Sequence, residues 1–408
     1  MSRTAWPGRA GGSIPAWTWL PPPHGTAVIP PGIALGAHRG EPVATPRQKR
    51  RRGNVTDAAI DCDLHPGVPG VAALLPYMDD HWRHTLKERG IEVLESASYP
   101  PNAPSSVRGD WRGPKGSAPS TVGQLQEQAL DRWGAAIGIL NPLFPVQLPF
   151  SRDMSAAMAR AVNDWVRAEW LDRDARLRAA ILLPNGVEEA LAEIERLSPD
   201  RRFVQAMVLC MGEIPLGRRE WWPVHAALEK AGLPLAIHAG SAWRHPPTSV
   251  GWPSWHVEEY VSNAYGFQAS LASLLTEGVF GKFPGLKVVL VESGVSWLPA
   301  FLWRLGKSWK GVRFEIPWVD RPPAEIIRDQ VRLTVRPFDA PEDADTVSRL
   351  LDHLRSDEML LWATDWPHAH FEGDALVPPG LPPGLLPKIM VDNPRATYVR
   401  IGEEGGNA

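Results

Sequence analysis

Cysteines and long apolar runs are scarce in this chain of 408 residues. No stretch approaches the roughly 20 consecutive apolar residues of a membrane-spanning helix, so we expect no contact with a membrane. The two cysteines, Cys62 and Cys210, each lie inside an apolar run. This placement argues against a disulfide framework and favours a reducing compartment, so we predict a cytoplasmic protein.

The chain also lacks an excess of charge of either sign. It has 43 lysines and arginines against 46 aspartates and glutamates, for a formal net charge of -3. The basic cluster RQKRRRG, residues 47–53, lies in a segment that does not resemble folded protein. We therefore expect a small-molecule substrate and no nucleic-acid partner. Tryptophans around residues 297–318 suit the interface of a homodimer.

Periodic hydrophobicity is absent from residues 1–54, which are rich in proline and glycine. We predict that this segment is either disordered or a mis-annotated N-terminal extension, with Val55 as the natural start. A transit peptide or a nuclear signal is the alternative reading of its basic run. The folded domain should then cover residues 55–402, followed by a disordered tail over 403–408.

Eight short apolar runs occur between residue 58 and residue 365. Their apolar character is continuous and does not alternate with polar residues, which is typical of strands buried on both faces of a parallel sheet. The runs are AAIDCDLH (58–65), AAIGIL (135–140), RAAILL (178–183), FVQAMVLC (203–210), PLAIH (234–238), LKVVLVE (286–292), VRLTVRP (331–337) and MLLWATD (359–365).

Amphipathic helical patterns separate these runs, with Ser155 as a start signal and Gly232 and Gly278 as stop signals. Eight strand–helix repeats predict an α/β fold, a (β/α)8 TIM barrel. An open doubly wound sheet is the alternative, but no phosphate-binding glycine fingerprint follows any run. Long insertions after the first and fifth strands should form loops at the C-terminal face, where active sites of this fold lie.

Four potential metal ligands stand at the C-terminal ends of predicted strands: Asp63, His65, His238 and Asp365. Side chains alternate along a strand, so Asp63 and His65 should point to the same side. A barrel brings distant strand ends together, and carboxylate and imidazole groups suit one divalent ion, zinc or manganese. Each residue alone is more simply explained as a hydrogen-bonded residue at a strand end.

Such an ion would lower the pKa of a bound water or polarise a substrate carbonyl. Asp365, at the end of the eighth strand, would then be placed to move the proton and is predicted to be catalytic. Among the other polar residues, His256, Arg336 and His368 are predicted to bind substrate. Arg336 is attractive because it ends the seventh strand and could meet a carboxylate.

Five segments of the chain together resemble the amidohydrolase-related family of metal-dependent barrels, in the family's order. The matching segments are IDCDLHP (60–66), PLAIHAGS (234–241), GVFGKFPGLKVVLVESGVSWLPAFLWRL (278–305), WATDWPH (362–368) and IMVDNPRATY (389–398). The branch that the chain resembles includes aminocarboxymuconate semialdehyde decarboxylase and resorcylate-type decarboxylases. The resemblance implies one metal ion at the barrel mouth, bound by Asp63, His65, His238 and Asp365.

The chain departs from the family pattern at two of these positions. Many members have His-x-His on the first strand where this chain has Asp63 and His65, and the harder carboxylate favours Mn²⁺ over Zn²⁺. Decarboxylating members usually place a histidine at the end of the sixth strand, where this chain has Glu292. We predict a catalytic role for Glu292 as a base, with structural pairing to a cationic neighbour as the alternative.

The resulting functional prediction is a metal-dependent hydrolase of a small carboxylate or carbonyl compound that uses a metal-activated water. Decarboxylation of an aromatic or unsaturated acid is the second candidate. A non-catalytic barrel with an altered site is the third, since one fold hosts many functions.

Overall fold

A computed structural model describes residues 58–92, 94, 106–113, 116–368 and 375–402. The predicted extension (residues 1–54), the predicted start at Val55 and the predicted tail (residues 403–408) lie outside the described residues. His370, in the segment after the eighth strand, also lies outside them.

Eight parallel strands form one sheet in which each strand pairs with the next along the chain. Every apolar run identified in the sequence overlaps one of these strands. The strands are β1 (Ile60–Leu64), β2 (Ile137–Leu140), β3 (Leu177–Leu182), β4 (Phe203–Met211), β5 (Leu235–Ser241), β6 (Val288–Val291), β7 (Val331–Thr334) and β8 (Leu360–Leu361).

Main-chain hydrogen bonds between the first and last strands close this sheet into a barrel. Cys62 N donates to the carbonyl of Trp362 at 3.0 Å, and His65 N donates to the carbonyl of Trp366 at 2.7 Å. Between them, Asp365 N donates to the carbonyl of Asp63 at 3.1 Å. The predicted (β/α)8 TIM barrel is therefore confirmed, and the open doubly wound sheet is excluded.

Helices follow the strands and pack around the barrel. They are α1 (Val71–Leu74), α2 (Asp80–Glu88), α3 (Val122–Leu125), α4 (Asp131–Trp133), α5 (Arg152–Val166), α6 (Val187–Leu197), α7 (Trp222–Ala231), α8 (His256–Thr276), α9 (Val279–Lys282), α10 (Leu298–Val312), α11 (Pro323–Gln330), α12 (Ala344–Leu354) and α13 (Asn393–Thr397). Among the helices of the described residues, none has the length and apolar character needed to cross a membrane.

The helix boundaries predicted from glycine are confirmed, but the one predicted from Ser155 is wrong. Gly232 and Gly278 follow α7 and α8 with left-handed φ angles of 65° and 81°, a conformation that favours glycine. The cap of α5 is Ser151, whose hydroxyl accepts from Met154 N at 3.2 Å. Ser155 is buried inside the helix instead. Its hydroxyl donates to the carbonyl of Val146 at 2.7 Å and so holds the preceding loop.

Candidate metal centre

Side-chain alternation along β1 directs Asp61, Asp63 and His65 into the barrel. Asp61 is the deepest of the three and accepts from Thr364 on the eighth-strand side, at 2.6 Å from its hydroxyl and 3.0 Å from its main-chain nitrogen. Burial raises the pKa of Asp61 to about 7, although the Thr364 bonds oppose this shift. Asp61 therefore links the first and last strands directly below the candidate site.

Two imidazoles present the same ring nitrogen to the barrel mouth. His65 contacts the carbonyl of Asn141 through Nδ1 at 2.8 Å, and His238 contacts the carbonyl of Ala239 through Nδ1 at 2.7 Å. Because a carbonyl only accepts, each Nδ1 carries the proton, and Nε2 of the neutral ring is left with its lone pair. This arrangement is typical of histidines that bind a metal ion.

Glu292, which follows β6, places its carboxylate between these imidazoles. Its Oε1 lies 3.1 Å from Nε2 of His65 and 3.2 Å from Nε2 of His238. When no cation is bound, burial would raise the pKa of Glu292, but a proton taken up by His238 outweighs burial and holds that pKa well below its usual range. In the same way, burial would lower the pKa of His65, but the neighbouring Asp63 carboxylate helps to raise it well above its usual range.

Asp365 and His368 form a close pair on the other side of His65. Oδ1 of Asp365 lies 2.7 Å from Nδ1 of His368 and 2.9 Å from Nε2 of His65. The rings of His368 and His65 are stacked, with their centroids 4.7 Å apart. Burial alone would lower the pKa of His368, but the Asp365 carboxylate overcomes it and raises the pKa to about 9.

These side chains form two overlapping groups in which all ligand atoms lie within 4.8 Å of one another. The first group is Asp63, His65, His238 and Glu292, and the second is His65, Glu292, Asp365 and His368. The structure therefore brings together all four ligands predicted from the sequence, but His238 and Asp365 belong to different groups. Glu292, predicted only as a catalytic residue, belongs to both.

The chemistry of the first group fits a divalent cation. Nε2 of His65, Nε2 of His238, Oδ2 of Asp63 and Oε1 of Glu292 are buried, and none makes a hydrogen bond with the described residues that satisfies both distance and angle. Buried nitrogen lone pairs and carboxylate oxygens that face one another without donors are unfavourable unless a cation compensates them. Two imidazoles and two carboxylates are ligands that zinc and manganese accept.

Strained backbone holds two of the carboxylates in place. Glu292 and Asp365 both have a φ angle of 56°, in the left-handed region that residues other than glycine rarely adopt. Such conformations cluster at functional sites, where the surrounding structure imposes them. Gly294 also has a positive φ, 68°, and an added Cβ there would lie 2.5 Å from Oδ2 of Asp339.

Asp339, in the loop after β7, fixes the turn that carries Glu292. Its Oδ1 accepts from the main-chain nitrogens of Val295 and Ser296 at 2.7 and 2.9 Å, and its Oδ2 accepts from the Ser296 hydroxyl at 2.6 Å. Asp339 was not predicted as a site residue from the sequence. Its position shortly after a predicted strand could have indicated that it lies near the barrel mouth.

Asn141, which follows β2, was also missed although it touches two predicted ligands. Its main-chain carbonyl accepts from His65, and its Nδ2 donates to Oδ1 of Asp63 at 2.8 Å. Gln205 Nε2 donates to Oδ1 of Asn141 at 2.8 Å and so fixes the orientation of the amide. Its place at a strand end, as with the ligands themselves, was a signal that could have found it.

A cavity of about 660 Å³ opens above these residues, a volume typical of small-molecule sites. Its wall is mainly apolar and includes Leu143, Phe144, Leu148, Met207 and Leu209. The segments after β1 and β5 both contribute to it, as expected for long loops at the C-terminal face. Within the described part of the wall there is no lysine or arginine.

Two of the three residues predicted to bind substrate line this cavity. His256, the first residue of α8, and His368 are part of its wall. Arg336 is not among the described wall residues, and its guanidinium instead donates to the main-chain carbonyl of Ala375. The geometry therefore gives no support to a substrate role for Arg336, because the barrel packs this side chain against the segment after β8.

The fold and the site together define a class of protein, a (β/α)8 barrel with a candidate metal centre at the C-terminal ends of its strands. A sequence model of the amidohydrolase family matches residues 60–400, and the chain belongs to that family. The resemblance seen in the five sequence segments is confirmed.

Several solved structures are similar to this chain in fold. An amidohydrolase from Mycobacterium avium subsp. paratuberculosis K-10 is 21% identical with a TM-score of 0.64, over 84% of this chain and 99% of that one. A 5-carboxyvanillate decarboxylase from Sphingomonas paucimobilis is 18% identical, with a TM-score of 0.60 and the same coverage. A dihydroxybenzoic acid decarboxylase from Polaromonas sp. JS666, solved with bound manganese and an inhibitor, is 18% identical, with a TM-score of 0.58 over 84% and 97%. No curated protein sequence matches the chain.

Proposed function

We propose that this protein is a metal-dependent hydrolase of a small carbonyl or carboxylate compound. The observation that carries the proposal is the geometry of the two histidines. Both fix Nδ1 on a main-chain carbonyl and direct a buried Nε2 toward the same carboxylate oxygen, Oε1 of Glu292. A purely structural pair of histidines would not need lone pairs that face an acceptor.

The first group supplies the ligands of one divalent ion: Asp63, His65, His238 and Glu292. Three of these were predicted as ligands from the sequence. Glu292, predicted as a base, is better placed as a ligand because its Oε1 lies about equally far from the two imidazole nitrogens. Asp365 was predicted both as a ligand and as the residue that moves the proton, and its contact with Nε2 of His65 supports a position beside the same ion.

A divalent ion bound here would polarise a substrate carbonyl and lower the pKa of a water molecule. The chain's own residues then control the proton. Asp365 accepts the proton of the attacking water, and protonated His368, whose Nδ1 is 2.7 Å from Oδ1 of Asp365, donates a proton to the leaving group in the cavity that it lines. The proton held by Asp365 then restores His368. The apolar wall excludes water from the rest of the substrate and holds its body in place.

Manganese and zinc are the proposed metals. Two carboxylates in the first group are harder donors than imidazole and favour manganese. The bound manganese in the decarboxylase from Polaromonas sp. JS666 agrees with this choice.

Decarboxylation is the second candidate, because several of the similar solved structures are decarboxylases. Two features of this chain favour hydrolysis instead. Glu292 stands where decarboxylating relatives usually have a histidine, and the described part of the cavity wall offers no lysine or arginine to bind a substrate carboxylate. Products separate the two reactions: hydrolysis in ¹⁸O-labelled water labels the product, whereas decarboxylation releases CO₂.

Metal content tests the proposal most directly. We expect about one manganese or zinc ion per chain in the full-length protein purified without chelators, measured by elemental mass spectrometry. The variant His238→Ala should lose the ion, while His245→Ala should retain it, because His245 is exposed and, among the described residues, contacts the main-chain carbonyls of Gly212 and Pro246. Absence of metal after reconstitution, or equal content in both variants, would leave the non-catalytic barrel as the better interpretation.

A further inference from the structure

One face of the first two turns of α8 forms part of the cavity wall. His256, Glu259, Tyr260 and Asn263 follow the spacing of one helix face, and all four line the cavity. Of these, only His256 was predicted from the sequence. Glu259 is 6% exposed, so a carboxyl group is buried in the wall of a mainly apolar cavity.

Asn263 fixes Glu259 as an acceptor of hydrogen bonds. Gly240 N donates to Oδ1 of Asn263 at 3.0 Å, so the Nδ2 group of the amide must face the other way. There it lies 3.2 Å from Oε1 of Glu259. The second oxygen, Oε2, is 3.7 Å from Nδ1 of His256, which is longer than a hydrogen bond but close enough for an ion pair when His256 is protonated.

A positive charge near Glu259 would stabilise the ionised form of this buried carboxyl group. Burial raises the pKa of Glu259 to about 7, the Asn263 bond opposes this, and the charge of Glu292 adds to it. The described wall contains three acids, Glu259, Glu292 and Asp339, but no lysine or arginine. A metal ion would compensate Glu292 in the first group, whereas Glu259 lies outside both candidate metal groups.

Two aromatic side chains of the same cavity wall suit this kind of ligand group. Tyr260 follows Glu259 on α8, and Trp297 also lines the cavity. The faces of such rings attract ammonium groups, and a carboxylate beside them adds a hydrogen-bonding partner of opposite charge. Carboxylate substrates would instead require the cationic side chains that the described wall lacks.

We propose that Glu259 binds a protonated amine of the substrate. The preferred substrate class is then an apolar, for example aromatic, compound with a hydrolysable carbonyl group at one end and a basic nitrogen at the other. The inference rests on the proposed function, which accounts for the end of the substrate that reacts at the metal centre. The amine subsite at Glu259 binds the other end.

Three hydroxamates that differ only at the remote end test the inference: 4-(aminomethyl)benzohydroxamate, its isostere 4-ethylbenzohydroxamate and 4-(carboxymethyl)benzohydroxamate. Their dissociation constants are measured by calorimetry for the full chain, in manganese-loaded and in chelator-treated protein. We expect the amine to bind at least about tenfold more tightly than the ethyl compound, as for a hydrogen bond to a charged group. The preference should disappear in Glu259→Gln and persist in Glu220→Gln, a surface control.

The outcomes separate this inference from the proposed function. Binding of the ethyl compound that depends on manganese tests the metal centre, whereas the ratio of amine to ethyl affinity tests the subsite. Equal affinities in the wild-type protein, tighter binding of the carboxylate, or no measurable binding of any compound would overturn the inference without reference to a variant. A preference that survives in a folded Glu259→Gln or Glu259→Ala protein would also overturn it.

Discussion

Asn141 donates a hydrogen bond from its side-chain amide to the carboxylate of Asp63 at 2.8 Å. The same residue accepts from His65 through its main-chain carbonyl, so one residue at the end of β2 orients both ligand candidates of β1. Partners of this kind set ligand direction and basicity, and their loss typically reduces metal affinity by about 10–100-fold.

The variant Asn141→Leu should therefore bind manganese or zinc about 10–100-fold more weakly while keeping the fold. The main-chain bond to His65 remains, but Asp63 loses its donor. Competition with a chromophoric chelator measures the affinity. Gln205→Met, which removes only the bond that orients the Asn141 amide, should have a smaller effect, and an unchanged affinity in Asn141→Leu would contradict the orienting role.

Backbone strain at Glu292 leads to a second prediction. The variants Glu292→Gly and Glu292→Ala both remove the carboxylate, but only glycine adopts a φ of 56° without steric conflict. Glu292→Gly should therefore be more stable than Glu292→Ala by about 1–2 kcal/mol. Denaturant unfolding of both metal-free proteins gives this difference. Equal stabilities would mean that the turn relaxes once the side chain is removed.

The turn that carries Glu292 should depend on Asp339. Asp339→Ala removes the acceptor for Val295 N and for both donors of Ser296, and because Asp339 is exposed we expect a loss of only about 1 kcal/mol of stability. Metal affinity should fall as well, since Glu292 loses its fixed position. Asp339→Asn retains Oδ1 as an acceptor and serves as the matched control. A larger effect of Asn than of Ala would refute the role of these hydrogen bonds.

The order of strands and helices could be predicted from the sequence because local hydrophobic patterns determine it. The strands are buried on both faces, so each appears as an apolar run such as VVLV in β6, and eight repeats of strand and helix leave few architectures open. Ligands at strand ends could be predicted for the same reason. Asn141 and Asp339 were missed although they follow predicted strands, because their partners lie 78 and 44 residues away in sequence and a strand-end position alone does not assign a role. Glu259 contacts Asn263 one helical turn away, but only the folded barrel places it in the cavity wall.

Tertiary packing also decides what becomes of residues that the sequence did single out, such as Arg336 and the tryptophans. A cation at the end of β7 was a reasonable partner for a carboxylate, but tertiary packing directs Arg336 to the carbonyl of Ala375. Of the tryptophans expected at a homodimer interface, Trp303 and Trp318 are 58% and 48% exposed, whereas Trp309 is only 7% exposed. The homodimer stays a prediction, and light scattering of the full chain would test it.

His225 provides a prediction on pH that does not involve the candidate metal centre. This residue of α7 is fully buried, with Nε2 2.9 Å from the carbonyl of Leu216. Burial lowers its pKa to about 4, and the bond to Leu216 only partly offsets this. The unfolded chain, with a histidine pKa of about 6.5, therefore binds a proton that the folded chain does not bind.

The contribution of neutral His225 to the free energy of unfolding is therefore fully present above about pH 6.5, and it is lost as the pH falls from about 6.5 to about 4. The free energy of unfolding should decrease with falling pH by up to about 1.4 kcal/mol per unit more in the wild-type protein than in His225→Gln. Glutamine retains a donor for Leu216 but does not titrate.

Unfolding in urea at pH 7.5, 6.5 and 5.5 measures this difference in slope. His353→Gln, which changes an exposed histidine of α12, is the control and should follow the wild-type slope. Parallel slopes for the wild-type protein and His225→Gln would show that His225 accepts a proton in the folded state without penalty.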